Sequence, residues 1–185
     1  GKEGAGEVAA IGEGVTGFKV GERVAYAGAV GTYAEEVIVE AAGTVHVPDG
    51  VSDETAAAMM LKGLTAQYRL RRTNRVQKGD TILFHAAAGG VGLIATQWAK
   101  HLGATVIGTV GTEEKAELAR QHGCDHVILY RDDDFAARVK EITKGAGVPV
   151  VYDGIGKATF PASLDALSPF GTFASFGSAS GPIDA

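Results

Sequence analysis

Hydrophobic residues follow two different periods in the second part of the chain. From residue 81 onward, short apolar runs alternate with longer segments in which apolar positions recur every three or four residues. The segment 90–102 shows the longer period most clearly. Its apolar stripe consists of Val91, Ile94, Ala95, Trp98, Ala99 and Leu102. Short apolar runs predict buried strands, whereas a period of 3.6 residues predicts amphipathic helices.

This alternation predicts an α/β fold in which strands and helices follow one another. The predicted strands are Thr81–His85, Thr105–Thr109, His126–Leu129, Val148–Asp153 and Gly171–Phe176. The predicted helices are Gly90–Leu102, Glu113–His122, Asp134–Thr143 and Ala158–Leu167. Repeated units of this length favour a parallel, doubly wound sheet with right-handed crossovers.

The first 48 residues show a different pattern, in which short β-like runs are separated by glycine turns. The predicted strands are Glu7–Ile11, Arg23–Tyr26, Tyr33–Val39 and Val45–Val47. This spacing is typical of a small β-barrel. At Ser52 the pattern changes to a helix that is expected to reach about Arg72, either continuous or with a break near Gly63. We therefore predict two domains, residues 1–51 and 52–185.

A glycine-rich loop directly follows the first strand of the second domain. Ala87, Gly89 and Gly92 form an Ala-x-Gly-x-x-Gly pattern before the helix begins. Small residues at these positions let the backbone approach a pyrophosphate, and the helix N-terminus supplies unpaired donors. The predicted contacts are Ala87, Ala88, Gly89, Gly90, Val91 and Gly92. The alternative is a glycine turn with a structural role only.

The end of the second strand of this domain indicates which dinucleotide binds. NAD-binding sites place an acidic residue about 20 residues after the fingerprint, where it binds the ribose 2′-hydroxyl. Residues 107–111 contain no acid, so a 2′-phosphate would meet no repulsion. Thr112 is the predicted N-cap of the next helix, and Lys115 stands where a capping box would place Glu. We expect Lys115 to bind the 2′-phosphate and Tyr130 to lie nearby; the alternatives are a solvated lysine and a packing tyrosine.

Composition excludes several other classes of protein. The net charge is −5 and no block of Lys or Arg occurs, which argues against a nucleic-acid or membrane-surface partner. Glycine is frequent, at 27 of 185 residues, as nucleotide-binding loops require. Cys124 is the single cysteine, so no internal disulfide can form, and a reducing cytoplasm is expected.

Five sequence strings together resemble the zinc-independent quinone oxidoreductase (zeta-crystallin-like) branch of the medium-chain dehydrogenase/reductase superfamily. They are Gly1–Val8, Val20–Val24, Leu61–Ala66, Phe84–Gly92 and Val151–Gly156. The resemblance spans essentially the whole chain. It implies a Rossmann-type domain preceded by part of a GroES-like β-barrel catalytic domain. It also implies that the chain is an internal fragment of a homodimeric parent and that the fragment alone has low activity.

The resemblance implies that NADPH is the cofactor and that a quinone or a similar conjugated carbonyl compound accepts the hydride. By resemblance, Thr65 faces the nicotinamide end, while the loop glycines, Gly111, Lys115 and Tyr130 hold the pyrophosphate and the phosphorylated ribose. The backbone ledge near the nicotinamide is formed by Ser175, Phe176, Gly177 and Ser178. Two other functions remain open: reduction of enoyl-thioester or alkenal double bonds, and non-catalytic NADPH binding by a crystallin-like protein.

No metal site is expected. Zinc alcohol dehydrogenases of the superfamily carry a histidine where this chain has Lys2, and one cysteine with five scattered histidines offers no ligand cluster. No catalytic acid is assigned. Asp153, at the end of a strand, is the one candidate, and capping of the following loop is its other interpretation.

Overall fold

The computed structural model describes residues 1–184, and the chain divides into two compact units. The first unit is Gly1–Leu64 and the second is Thr65–Ala185. The division falls inside helix α1 (Asp53–Tyr68). The domain boundary between residues 51 and 52 stays a prediction.

The first unit contains a three-stranded antiparallel sheet. Its strands are β1 (Glu3–Glu7), β2 (Arg23–Ala27) and β3 (Thr44–His46), and β2 lies in the middle. A small buried cluster supports this sheet. It consists of Ala25, Val47 and Ala56.

Two predicted strands of this unit were wrong. The strand expected at Glu7–Ile11 lies earlier in the chain, at Glu3–Glu7. These five residues pair with β2 one by one, and the pairing ends at Glu7. The segment Tyr33–Val39 forms no strand, and its Tyr33 and Ile38 side chains are 94% and 99% exposed. A β-branched or aromatic run becomes a strand only where a neighbouring strand satisfies its backbone groups and packs on its side chains. No such pairing forms for this segment within residues 1–184.

Helix α1 begins as predicted, because Ser52 Oγ accepts a hydrogen bond from the Thr55 N–H at 3.2 Å. Of the two alternatives at Gly63 the helix is continuous, and it runs to Tyr68. One helical glycine costs only about 1 kcal/mol relative to alanine, which the surrounding alanine, methionine and leucine residues offset. A π-helical turn, Arg69–Thr73, then ends the element.

The second unit contains a five-stranded sheet in which all neighbouring strands run parallel. Its strands are β4 (Thr81–His85), β5 (Thr105–Val110), β6 (His126–Leu129), β7 (Val148–Asp153) and β8 (Leu167–Ser175). The five predicted strands are therefore confirmed, with β8 starting earlier than expected.

Helices cover both faces of this sheet, as the doubly wound prediction requires. They are α2 (Gly90–His101), α3 (Glu113–Gln121), α4 (Phe135–Ile142) and α5 (Phe160–Ala166). Successive strand side chains point to opposite faces. Phe84 accordingly packs in one buried cluster with Ala95 of α2, while its neighbour Leu83 packs in a second cluster with Val139 of α4. No helix within residues 1–184 is long and apolar enough to cross a membrane.

The strand order is β6-β5-β4-β7-β8, so the chain leaves β4 toward one edge and later returns to β7 on its other side. Parallel pairing aligns Leu83 with Val151 and Phe84 with Tyr152. In open α/β sheets, ligands bind in the crevice at the carboxyl ends of the strands where the order reverses. That crevice lies at the ends of β4 and β7.

Candidate cofactor-binding site

The glycine-rich loop connects the end of β4 to the start of α2. It begins with Ala86 in the left-handed region, at φ 53°. Two backbone hydrogen bonds fix its course: the Ala87 N–H donates to Thr109 O at 3.1 Å, and the Gly89 N–H donates to Ala86 O at 2.8 Å. The loop is therefore held to β5 by its own backbone.

Close approach of two backbone segments explains the last glycine of the fingerprint. A Cβ atom at Gly92 would lie 2.4 Å from Ala86 O and 2.5 Å from Ala87 O. Both neighbours are backbone atoms and cannot move aside as a flexible side chain could. A Cβ atom at Gly89 would lie 3.1 Å from Ala86 O. The helix can pack tightly against the loop only because Gly92 has no side chain.

The N-terminus of α2 is open to a ligand. Gly89 is the N-cap and supplies no side-chain hydrogen bond to the first turn. The first N–H groups of a helix have no partner within the helix, and the dipole makes this end positive. Gly89 and Gly90 are exposed, so a pyrophosphate could reach these donors.

The end of β5 carries the residues expected near a 2′-phosphate. Gly111 follows β5, and a Cβ there would lie 3.3 Å from Tyr130 Oη, so the tyrosine ring lies beside it. Thr112 Oγ1 accepts from the Lys115 N–H at 3.3 Å, which confirms the predicted N-cap. Lys115 is exposed and forms no ion pair with the described residues. Its ammonium group is thus available to an anion.

One groove joins the loop to α3. Its lining residues are Ala88, Glu114, Lys115, Glu117, Leu118 and Gln121. The structure therefore brings Ala88 and Lys115, which are 27 positions apart in the sequence, into one groove. Two glutamates share the groove, so its charge is mixed.

The predicted ledge at residues 175–178 is tied to the end of β7. The Phe176 N–H donates to Asp153 O at 2.8 Å, and a Cβ at Gly177 would lie 2.7 Å from Gly154 O. The Phe176 ring packs in the core, 5.8 Å from the Phe84 ring centre. Ser175 and Ser178 flank this segment and are exposed. Phe176 therefore offers a ligand its backbone rather than its ring.

Thr65 lies in α1 and is partly buried. Its contact with a nicotinamide stays a prediction.

Asp153 caps the loop that follows it. Its Oδ1 atom accepts from the Ile155 N–H at 2.7 Å and from the Gly156 N–H at 2.9 Å, and its Oδ2 atom accepts from Thr159 Oγ1 at 2.7 Å. Asp153 is 0% exposed. The capping interpretation is confirmed, and with its oxygens occupied in this way the carboxylate is placed to order the loop.

A buried histidine extends this network. His85 Nε2 lies 2.9 Å from Ser163 Oγ, and His85 Nδ1 lies 2.8 Å from Thr109 Oγ1. Ser163 Oγ is also 3.5 Å from Asp153 Oδ2. Burial lowers the pKa of His85 to about 4, although the nearby charge of Asp153 acts in the opposite direction. The imidazole is therefore neutral at pH 7 and links β4, β5 and α5.

Cys124 is buried and lies against Gly108 of β5. Burial, with a smaller effect of Asp125, raises the pKa of its thiol to about 12. Within residues 1–184, no group of three or more His, Cys, Asp or Glu side chains could hold a metal ion.

Sequence reasoning missed Arg131. A Cβ at Gly111 would lie 3.4 Å from Arg131 Nε, so this side chain also lies beside the glycine. Its only signal in the sequence is its position directly after Tyr130. Three aspartates, Asp132 to Asp134, follow it in the sequence and give no indication of an anion-binding site.

Comparison with protein families gives two matches that follow one another along the chain. Residues 1–49 match the alcohol dehydrogenase GroES-like domain. Residues 90–185, more than half of the chain, match the zinc-binding dehydrogenase family. The chain belongs to the quinone oxidoreductase branch of the medium-chain dehydrogenase/reductase superfamily. The expected fold class, a Rossmann-type sheet preceded by GroES-like material, is confirmed.

Individual relatives agree with this assignment. The chain is 58% identical to a quinone oxidoreductase of Pseudomonas aeruginosa over 184 residues, which are 99% of this chain and 57% of that protein. It is 53% identical to a 2-haloacrylate reductase of Burkholderia sp. over 187 residues, which are 100% of this chain and 56% of that protein. The chain thus spans little more than half the length of these relatives.

A solved structure also matches over the whole length of this chain. The Escherichia coli quinone oxidoreductase in complex with NADPH superimposes with a TM-score of 0.98 at 49% identity. The match covers 100% of this chain and 57% of the other.

Proposed function

We propose that this medium-chain dehydrogenase/reductase chain binds NADPH and carries the cofactor-binding part of an enzyme that transfers hydride to a quinone or a similar conjugated carbonyl compound. The observation that supports NADPH over NADH is the end of β5: residues 107–111 contain no acid, and Lys115, which forms no ion pair within residues 1–184, lines the groove that reaches the loop. The complex of the E. coli relative with NADPH agrees with this choice.

The residues present fit this cofactor. The space that Gly92 leaves lets the loop pack as a nucleotide-binding turn, and the open α2 N-terminus can donate to the pyrophosphate. Lys115 can pair with the 2′-phosphate, and the ledge after β8 can support the nicotinamide end through its backbone. When bound, NADPH supplies the hydride. The chain's own contribution is to bind and orient, since hydride transfer requires a positioned pair rather than a covalent nucleophile.

Binding measurements test the cofactor assignment. A charge-assisted contact of roughly 1.5–3 kcal/mol corresponds to a factor of about 10–150 in affinity. Lys115→Ala should therefore weaken NADPH binding by that factor and leave NADH binding almost unchanged. The matched control is Lys144→Ala, an exposed lysine in the turn after α4. Equal losses for both cofactors would contradict the assignment.

Reduction of an activated carbon–carbon double bond is the second candidate. Its support is the 53% identity to the 2-haloacrylate reductase, which is close to the 58% identity to a quinone oxidoreductase. Rates of NADPH oxidation by the whole protein with a benzoquinone, an alkenal and a 2-haloacrylate would separate the two. Tight NADPH binding with no oxidation by any acceptor would instead support a non-catalytic, crystallin-like role.

We also propose that the chain works without zinc. This rests on Lys2 in a ligand-like position, on the single cysteine and on the lack of a ligand cluster within the described residues. The free, buried Cys124 supports a location in the reducing cytoplasm. A homodimer of the whole protein is proposed as well, and sedimentation analysis tests it.

A further inference from the structure

We infer that Arg131 is a second cationic residue of the 2′-phosphate site and that it contributes to the preference for NADPH over NADH. The inference rests on the proposed NADPH binding and adds a specificity-determining residue to that site.

The ends of β5 and β6 place Arg131 beside Gly111. Tyr130, the residue after β6, donates its N–H to Val110 O at 3.2 Å, which fixes the end of β6 against the end of β5. A Cβ at Gly111 would lie 3.3 Å from Tyr130 Oη and 3.4 Å from Arg131 Nε. The Tyr130 and Arg131 side chains therefore both lie next to the space that Gly111 leaves open.

The Arg131 guanidinium group has no anionic partner within residues 1–184, although three aspartates follow it. Arg131 forms no ion pair with any described residue, whereas Arg120 pairs with Glu113 and Arg138 with Glu141. The backbone of the aspartate segment forms a turn at the end of β6. The Asp132 and Asp133 N–H groups both donate to Leu129 O at 3.0 Å.

Asp134 is likewise engaged elsewhere, because its Oδ1 atom caps α4 by accepting from the Ala137 N–H at 3.1 Å. Arg131 thus has no ion-pair partner within residues 1–184, and its Nε atom would lie 3.4 Å from a Cβ atom at Gly111.

A phosphate monoester is the ligand chemistry that suits this arrangement. Guanidinium groups pair with phosphate oxygens through two parallel N–H donors, and lysine adds a point charge. Arg131 follows β6 and lies beside Gly111, and Lys115 lies in the first turn of α3, which begins two residues after Gly111, so the two cations come from different elements. A ribose 2′-hydroxyl carries no charge and would gain little from either residue.

The test compares NADPH with NADH, which differ only in this phosphate, and adds 2′,5′-ADP, which carries the phosphate without the nicotinamide half. The dissociation constants of NADPH, NADH and 2′,5′-ADP are measured for the 185-residue chain and for Arg131→Gln. Because an exposed charge-assisted contact is partly screened, we expect NADPH and 2′,5′-ADP to bind about 5- to 50-fold more weakly and NADH to change less than about twofold. Arg131→Lys should recover part of the loss.

Arg75→Gln is the matched control, since Arg75 is exposed and precedes β4, at the amino ends of the strands rather than the carboxyl ends. It should leave all three constants unchanged. Equal losses of NADPH and NADH affinity in Arg131→Gln would show contact with the adenine or ribose and would overturn the inference. Unchanged binding of every ligand would overturn it too, while leaving the proposed function intact. Failure of the unmodified chain to bind NADPH and 2′,5′-ADP would refute both.

Discussion

The hydroxyl of Thr159 donates a hydrogen bond to the buried carboxylate of Asp153, with 2.7 Å between the two oxygens. Both residues are almost fully buried, and the same carboxylate also accepts from the Ile155 and Gly156 N–H groups. The loop after β7 in turn accepts hydrogen bonds from the segment after β8, because the Ala179 N–H donates to Gly154 O at 3.3 Å. The Asp153 side chain thereby supports the predicted nicotinamide ledge.

Removing this hydroxyl should destabilise the second unit. Thr159→Val removes the shorter of two hydrogen bonds to the buried Asp153 Oδ2 atom and leaves only the 3.5 Å contact with Ser163 Oγ, which should lower the free energy of unfolding by about 1–3 kcal/mol. Thr159→Ser keeps the hydroxyl and should recover most of the loss. Urea denaturation measures both, with Thr16→Val at an exposed threonine as the control. Equal stability of Thr159→Val and the unmodified chain would contradict a role in the network.

The low pKa of His85 predicts a loss of stability in mild acid. Folding lowers this pKa from 6.5 to about 4, chiefly because the imidazole is buried. Between these values the unfolded chain holds a proton that the folded chain does not, so the stabilisation is complete above about pH 6.5 and is lost as pH falls toward about 4. The size of the effect is at most about 3 kcal/mol.

Urea unfolding at about pH 7.5 and about pH 4.5 checks this expectation. His85→Gln should have a lower free energy of unfolding than the unmodified chain at about pH 7.5. Between about pH 7.5 and about pH 4.5 its free energy of unfolding should fall by less than that of the unmodified chain. His101→Gln is the control, because His101 is exposed. If His85→Gln and the unmodified chain show the same pH dependence, His85 does not titrate in this window.

A methyl group at Gly92 should disrupt the glycine-rich loop. Its Cβ would overlap two carbonyl oxygens, so Gly92→Ala must displace backbone. We expect a loss of about 1–3 kcal/mol in stability and at least about a tenfold weaker affinity for NADPH. Gly63→Ala is the matched control: it too lies in a helix, and its Cβ would meet only Met59 Cε, at 4.0 Å. That variant should be neutral or slightly more stable. Unimpaired NADPH binding by Gly92→Ala would argue against the loop as the pyrophosphate site.

The sequence predicted the sheet of the second unit well because strong periodicity and local capping signals act within each element. Thr112 and Ser52 cap their helices as expected, since a cap depends on residues only three positions apart. The strands of the first unit were less predictable. Their sequences contain few large apolar residues, and whether Tyr33–Val39 becomes a strand depends on a partner elsewhere.

The candidate site was predictable where it depends on local sequence and not where it depends on contacts across the fold. The loop glycines follow from the spacing within the β4–α2 unit and Lys115 from the capping pattern of the next unit, β5–α3, and their contacts with a cofactor stay predictions. His85 and Ser163, in contrast, are 78 positions apart and meet only because β4 and α5 pack together. Arg131 was missed because its neighbours in sequence are acidic, whereas its neighbour in space is Gly111.

We predict that the purified chain contains no stoichiometric zinc. The matching family is described as zinc-binding, yet no ligand cluster exists within residues 1–184. Elemental analysis should find fewer than about 0.1 zinc ions per chain, since a structural or catalytic site needs three or four ligands. A chelator should leave the NADPH affinity unchanged. About one zinc per chain would show that the ligand set has been misjudged.

Cys124 should report the opening of the second unit. With its pKa raised to about 12 by burial, only about one thiol in ten thousand is ionised near pH 8, and the side chain is 7% exposed. A disulfide reagent should therefore label the native chain slowly and the urea-unfolded chain at once, with one thiol per chain.

A Cβ at Gly108 would lie 2.6 Å from the Cys124 sulfur and from Ala87 Cβ, so Gly108→Ala should loosen this contact and speed the labelling of the native chain. Cys124→Ser gives the unlabelled baseline. Labelling of the native chain as fast as that of the unfolded chain would show that the thiol is accessible and that β5 does not pack against it as described.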